Sequence, residues 1–316
     1  MYVGIDVSKS WLDVAIVSEG NQLQRTERIE NSVSAVRTFV GELPSAHRIL
    51  FCLENTGKYG NSFLEVTAML ELNTWVEHPL QIKRSKGMTR GKSDVLDAIR
   101  IAQYAYRFQD KVVLWKPEQK IILELKALQS KRELLIKSYR MLRQSTTGKD
   151  ADLDQPIKAL EKAMIKVEEK IEDLIISDSK LQSQYKLLQS IPGIGKVVAT
   201  RLLVTTKGFT HLLNPRKLAC YMGIAPFPYQ SGSSIKYKNQ VSKMGDQKLK
   251  SLLNMAAWNA IRSVPALKAY FDRKVAKGKN KMSAINAIRN KLVAMALSVV
   301  RRNEPFTKEY LCIATS

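Results

Sequence analysis

Two long stretches in the middle of the chain constrain its fold more than any other feature. In each, mostly apolar side chains recur every three or four positions, as on one face of an α-helix. The polar segment from Ser145 to Gln155 separates them. Two such helices form an antiparallel hairpin, a coiled coil between subunits, or an ordinary connector inside one domain. The repeating positions are Leu125, Leu128, Arg132, Leu135, Tyr139 and Leu142, then Ile157, Leu160, Met164, Val167, Ile171 and Leu174.

These helices divide the chain into three predicted parts. Residues 1–116 alternate strand-like and helix-like patterns, which predicts an α/β domain with carboxylates at strand ends. Residues 117–180 are the helical connector, for which we predict a coiled-coil hairpin. Residues 181–316 are predicted to be mostly helical, although the Gly-, Pro- and Ser-rich stretch 223–234 cannot be regular helix. The predicted fold class is therefore α/β plus α.

The charge of the chain indicates a polyanionic partner. Lys and Arg number 51 against 29 Asp and Glu, which gives a formal net charge of +22. Each phosphate neutralised by such a surface releases counterions and adds affinity, so nucleic acid is the expected partner. A membrane partner is not predicted, because no segment approaches the apolar length of a membrane span.

The cysteines and histidines exclude several kinds of site. Cys52, Cys220 and Cys312 are far apart and have no CxxC spacing, which favours a reducing cytoplasm and disfavours structural zinc. The chain begins without an apolar signal core, so export is not expected. The three scattered histidines give no pattern for a histidine metal site or a Ser-His-Asp triad.

Acidic residues provide the first candidate site. Asp6 lies at the end of the opening strand, Glu54 ends an apolar run, and Asp94 and Asp97 share one face at the start of a helix. Several carboxylates suit Mg²⁺ or Mn²⁺, and paired metal ions can clamp both oxygens of a phosphoryl transfer. Taken singly, an acid is better explained as a helix N-terminus or turn residue. The set of four, in this order and on these elements, favours the metal site.

Two segments rich in basic residues or glycines are candidate phosphate contacts. Arg90 and Lys92 precede Asp94 and are either near-site phosphate contacts or a solvated basic turn. Farther along, Gly193, Gly195 and Lys196 lie in a turn before an apolar helix. Exposed backbone N–H groups at such a helix-hairpin-helix turn can bind phosphate, although an ordinary helix–helix turn has the same composition.

A serine cluster provides the candidate nucleophile. Ser231, Ser233 and Ser234 lie in a Gly-containing segment followed by Lys236 and Lys243. Lysines there could stabilise developing phosphate charge, but a serine is a poor nucleophile unless a base or a metal activates it. On composition alone, a flexible polar loop is the favoured interpretation.

Five motifs in one order resemble the DEDD transposases of insertion sequences, a family that also includes a site-specific DNA invertase. The likeness runs nearly from end to end, with Asn55 as a departure where the family commonly has Ala. The motifs are Gly4-Ile-Asp6-Val-Ser-Lys9, Leu53-Glu54-Asn-Thr-Gly57, Ser93-Asp94-Val-Leu-Asp97-Ala98, Ser190-Ile-Pro-Gly-Ile-Gly195, and Ser231-Gly-Ser-Ser234 followed by Ser242-Lys243.

The resemblance implies a RuvC-like, RNase H-like N-terminal domain in which Asp6, Glu54, Asp94 and Asp97 bind magnesium. It also implies that Ser231, in a C-terminal transposase domain, attacks a DNA phosphate and forms a phosphoserine link. Implied partners are the element ends and target DNA, a structured noncoding guide RNA, and further copies in a tetramer that is a dimer of dimers. The implied setting is the bacterial cytoplasm.

Two other functions remain open. A structure-specific endonuclease of the RuvC type would use the same acids with water as the nucleophile. A non-catalytic nucleic-acid scaffold would use the acids only structurally.

Overall fold

The computed structural model describes residues 1–85, 93–145, 151–231 and 235–307, with backbone alone for 151, 228–231 and 235–239. The chain divides into two compact units, Met1–Pro117 and Glu118–Ser316. The first combines a mixed sheet with helices, and the second is mostly helical. The predicted α/β-plus-α class is confirmed.

In the described residues of the first unit, five strands form one mixed sheet in the order β3-β2-β1-β4-β5. β1 pairs antiparallel with β2, and β2 with β3, whereas β1, β4 and β5 are parallel. Successive side chains of a strand alternate between the two faces, so residues paired across strands share a face. The strands are β1 (Tyr2–Val7), β2 (Trp11–Val17), β3 (Leu23–Glu30), β4 (Leu50–Glu54) and β5 (Thr74–Glu77).

Helices cover both faces of this sheet. One face packs Ile5 and Val14 together with residues of α1 and α2, including Phe39 and Phe63. The other face packs against α4, and small side chains such as Ala15 allow the close approach. The near-continuous apolar runs of β1, β2 and β4 follow from this double covering. The helices are α1 (Val33–Gly41), α2 (Asn61–Met69), α3 (Pro79–Ser85) and α4 (Asp94–Arg107).

Strand β3 was not predicted from the sequence. Its residues are mainly polar, and Ile29 is its buried side chain. Hydrogen bonds to β2 at the edge of the sheet stabilise it. A strand of this kind lacks the apolar alternation on which prediction depends.

The described part of the second unit contains eight helices and one two-stranded hairpin. None of the helices described anywhere in the chain is long and apolar enough to cross a bilayer. The elements are α5 (Lys120–Ser145), α6 (Ala151–Ile176), α7 (Ser179–Gln189), α8 (Lys196–Thr205), α9 (Pro215–Tyr221), β6 (Pro226–Ser231), β7 (Ile235–Val241), α10 (Gln247–Ser263), α11 (Pro265–Ala276) and α12 (Lys281–Arg302).

The two predicted amphipathic helices are α5 and α6. They run antiparallel, since Arg132 bonds to Glu168 at 2.7 Å while Arg143 lies 3.6 Å from Glu161. At the end nearest the rest of the unit, their apolar residues enter its core; these are Ile122, Leu125, Ile171 and Ile175. A supercoiled geometry and pairing between subunits stay predictions.

The Gly-, Pro- and Ser-rich stretch is more ordered than composition suggests. Its described residues are not helical, as predicted, and half of the stretch forms β6, the first strand of an antiparallel hairpin. Ser231 is the last residue of β6 and pairs through its backbone with Ile235. The flexible-loop interpretation is therefore wrong for the backbone of Ser231.

Candidate active site

A row of charged side chains crosses one face of the sheet. Asp13 pairs with Asp6 on one side and with Arg28 on the other, and Glu54 pairs with Glu77. Asp6 and Glu54 each lie one residue beyond the paired Ile5 and Leu53 of the parallel strands β1 and β4. Two of the four predicted acids thus occupy adjacent strands on one face.

Helix α4 brings the other two acids to this face. Gly4 on β1 has no side chain, and a Cβ there would lie 2.2 Å from the Ala102 nitrogen and 2.3 Å from the Ala98 oxygen. The backbones of strand and helix are therefore in direct contact. Asp94 and Asp97 lie in the first turn of this helix, as predicted.

The electrostatics of Asp6 show that the four acids are neighbours. Burial and, after it, the negative charges of Asp97, Glu54, Asp94 and Asp13 together raise its pKa from 3.8 to about 6. Like charges this close disfavour the ionised form of each other. A bound cation would relieve that repulsion, and a cluster of hard oxygen donors suits a divalent ion.

Arginines partner the helix acids in this structure. Arg28 Nη2 lies 3.4 Å from Asp94 Oδ2, and Arg100 Nη1 lies 3.1 Å from Asp97 Oδ1. Among the described residues, no three side chains of metal-binding type are preassembled to hold an ion. The donor types and their mutual repulsion fit a divalent cation, provided that Asp94 and Asp97 turn from their arginine partners.

Comparison with known proteins gives the family. A family model described as "Transposase IS116/IS110/IS902 family" matches residues 185–272, and a DEDD transposase model of the IS110 type matches residues 3–147. The chain belongs to the IS110-type transposase family. DNA recombination is the activity and DNA the partner that this membership implies, and the DEDD type implies a divalent metal cation.

Relatives span nearly the whole chain. The pilin gene-inverting proteins of Moraxella lacunata and Moraxella bovis are each 28% identical over 97% of this chain and 98% of their own length. An insertion element IS110 protein of Streptomyces coelicolor is 30% identical over 36% of this chain and 28% of its own. The resemblance inferred from the five motifs is confirmed.

The β6–β7 hairpin, whose first strand ends in Ser231, is held in place at the end opposite Ser231. The side-chain amides of Asn286 and Asn290 on α12 both donate to the Ile224 carbonyl, at 2.7 and 3.1 Å. Gly223 and Gly245 touch through their backbones, and a Cβ on Gly245 would lie 2.3 Å from the Gly223 nitrogen. These contacts hold both strands at the end opposite Ser231.

Several predicted contact residues cannot be placed fully. Arg90, Lys92, Ser233 and Ser234 lie outside the described residues, and Lys236 is described by its backbone alone. Lys243 is exposed in the segment between β7 and α10. All remain predicted nucleic-acid contacts.

The glycine turn between α7 and α8 has two different halves. Gly193 has φ +89°, and a Cβ there would lie 2.3 Å from the Ala256 oxygen of α10, so packing requires glycine. Gly195 is exposed with open space around its Cα. Lys196 forms an ion pair with Glu172 of α6. Gly193 is thus required for packing, whereas Gly195 exposes its backbone to solvent.

This difference predicts opposite outcomes for two alanine substitutions. Gly193→Ala should lower the free energy of unfolding by about 3 kcal/mol, since it combines a backbone overlap with an unfavourable φ. Gly195→Ala should leave stability within about 0.5 kcal/mol. Urea denaturation of both variants measures the difference. Equal stabilities would contradict the packing of this turn against α10.

Sequence reasoning missed the neighbours of the acids. Asp13 is 2% exposed and receives two hydrogen bonds from Arg28, and Glu77 accepts one from Tyr104. The available signal was Asp13 itself, an isolated charge inside the apolar run of β2. Arg28 had no such signal, because its strand was not recognised.

Proposed function

We propose that this transposase cuts and rejoins DNA with a carboxylate-held Mg²⁺ site and Ser231 as the nucleophile. The observation that carries the proposal is the proximity of Glu54, Asp94 and Asp97 to Asp6. Burial of Asp6 and, after it, the negative charges of these neighbours raise the pKa of Asp6 to about 6. A mixed sheet whose central strand carries Asp6 supports a RuvC-like, RNase H-like domain.

The four carboxylates would hold the divalent ion, with Mn²⁺ as a substitute for Mg²⁺. When bound, the ion supplies positive charge for the phosphate oxygens and lowers the pKa of a coordinated hydroxyl group. The acids of the chain would orient the ion, and Asp6, a partly buried residue of the central strand, would fix its position relative to the sheet.

Ser231 conserves the energy of the broken bond. Its Oγ attacks phosphorus, the bond to a deoxyribose oxygen breaks, and the proton lost by the serine balances the proton gained by the leaving oxygen. A hydroxyl of a second DNA end then attacks the phosphoserine, and Ser231 Oγ leaves and regains a proton. Neither step consumes water, so the ends can be rejoined without an external energy source.

Assembly and guidance complete the proposal. The acids and Ser231 belong to different compact units, and a tetramer would pair the acids of one subunit with the serine of another. The net charge of +22 supports binding to both element DNA and a structured noncoding guide RNA. Arg90, Lys92, Gly193, Gly195, Lys196, Ser233, Ser234, Lys236 and Lys243 are the proposed nucleic-acid contacts.

The second candidate is a metal-dependent structure-specific endonuclease that uses water. The DEDD name of the model matching residues 3–147 fits this candidate as well, since it refers to the acids and not to a serine. The pilin gene-inverting relatives favour rejoining, because inversion of a segment requires that its ends be joined again.

A covalent adduct distinguishes the two candidates. Incubation of the full chain with element-end DNA, the flanking RNA and Mg²⁺ should give a protein–DNA adduct that survives denaturation and disappears in Ser231→Ala. Phosphopeptide mass spectrometry should place the modification on Ser231. Ser242→Ala is the matched control and should retain the adduct. Undiminished cleavage by Ser231→Ala, without an adduct, would contradict the serine mechanism and favour the endonuclease.

A further inference from the structure

Arg28 lies beside the acids and has an unusual anchor. Its Nε and Nη2 donate to the two carboxylate oxygens of Asp13, both at 2.9 Å. The Asp13 side chain is 3% exposed, whereas that of Arg28 is 50% exposed. The guanidinium is therefore held by two hydrogen bonds to a buried carboxylate, while half of the Arg28 side chain remains exposed to solvent.

Stability alone does not account for this pair. An ion pair with one buried partner adds little over apolar side chains of similar volume, because desolvation offsets the attraction. The next residues of β2 on this face, Ala15 and Val17, are apolar and pack against α4. A bidentate pair does, however, fix the plane and direction of a guanidinium group.

The fixed direction leads to the carboxylates. Arg28 Nη2 also lies 3.4 Å from Asp94 Oδ2, a longer contact to a side chain that is itself 54% exposed. Within the described residues, Nη1 has no hydrogen-bond partner. Arg28 thus presents an N–H edge next to the acids while Asp13 holds its other edge.

We propose that Arg28, oriented by Asp13, binds a phosphate oxygen of the DNA strand at the carboxylate site. The proposal rests on the proposed function, since it takes that site to be where DNA is cut. A phosphodiester approaching Asp6, Asp94 and Asp97 meets strong repulsion. A guanidinium donates charge-assisted hydrogen bonds to phosphate and offsets part of that repulsion.

Asp13 is a positioning residue in this arrangement. When Asp94 turns toward a bound ion, Arg28 loses its weaker partner but keeps both bonds to Asp13. The guanidinium then stays in place with free N–H groups for phosphate. Without Asp13, the same cation would be free to follow Asp94, or to swing into solvent.

DNA affinity measured against salt concentration tests the proposal. The full chain carrying Ser231→Ala is titrated with a fluorescent DNA duplex in Mg²⁺ at several KCl concentrations. Asp13→Asn combined with Arg28→Gln removes the pair without leaving a buried charge alone. We expect affinity to fall about tenfold and the salt slope to fall by about one ion.

Two variants serve as controls. Arg25 lies on the same strand but pairs with Glu27 and Glu42 near α1, on the other face of the sheet. Arg25→Gln should change neither affinity nor slope beyond about twofold. Arg28→Lys keeps a positive charge paired with Asp13 but loses the bidentate geometry of the guanidinium group. Affinity should therefore fall several-fold, and the salt slope should be retained.

Each outcome decides the proposal. Wild-type affinity and slope in the folded double variant would overturn it. If the double variant does not fold, unchanged affinity in Arg28→Lys would overturn it instead. DNA cleavage by the Ser231→Ala parent would contradict the serine mechanism of the proposed function, and it leaves the Arg28 contact to be judged by binding.

Discussion

Asp6→Asn is expected to reduce DNA cleavage by about three orders of magnitude. Loss of a metal-ligating carboxylate removes several kcal/mol of transition-state stabilisation, and each 1.4 kcal/mol corresponds to a factor of ten in rate. Asp6 is central to the acid row, with Asp13 on the neighbouring antiparallel strand and Glu54 on the parallel one.

The same substitution is expected to stabilise the protein in the absence of metal. The folded pKa of Asp6, about 6, lies above its ordinary value of 3.8, so its ionised form is disfavoured by folding. This destabilisation is absent at pH below 3.8, grows between 3.8 and 6, and is complete above 6. At pH 7.5, Asp6→Asn should raise the free energy of unfolding by about 1–2 kcal/mol, after allowance for solvent screening of a partly exposed group.

Opposite signs for activity and stability separate a metal ligand from a structural acid. Thermal unfolding in EDTA should give a higher Tm for Asp6→Asn at pH 7.5 and a shrinking difference as the pH falls toward 4. Mg²⁺ should raise the Tm of the wild type more than that of the variant. Glu30→Gln, an exposed acid at the end of β3, is the matched control and should change little. A destabilised but fully active Asp6→Asn would rule out the proposed role.

The acids were predictable because each marks the end of a strongly patterned element. Glu54 follows a buried apolar run, and Asp94 begins an amphipathic helix, so their positions follow from local sequence. Their convergence depends on strand order and on the approach of α4, which are long-range properties. The motif resemblance supplied that information from the family instead.

Other features had no comparable local signal. Arg28 is one of many cations, and its contact with Asp13 depends on the pairing of β2 with the unrecognised edge strand β3. Likewise, the β6–β7 hairpin is polar and rich in turn formers, and contacts from α12 to Ile224 fix its base. Tertiary contacts override local preference at both places.

Gly4→Ala is expected to damage both the fold and the site while leaving every acid in place. The added Cβ would lie 2.2 Å from the Ala102 nitrogen and 2.3 Å from the Ala98 oxygen. Both atoms belong to helix backbone, so no side-chain rotation relieves the overlap. We expect a loss of about 3 kcal/mol in the free energy of unfolding, at the upper end of typical overpacking effects.

The residual activity of folded Gly4→Ala tests how the site is built. To restore ordinary van der Waals contact, α4 must move outward by about 1 Å, and a displacement of that size can lower a rate about 100-fold. Asp94 and Asp97 move with the helix, whereas Asp6 and Glu54 stay with the sheet.

Gly41→Ala, in open space at the end of α1, is the matched control and should stabilise the protein slightly. Cleavage measured at a temperature where both variants are folded compares them directly. Wild-type activity in Gly4→Ala would mean that catalysis does not depend on the distance between α4 and the central strand, and the four-carboxylate site would have to be abandoned.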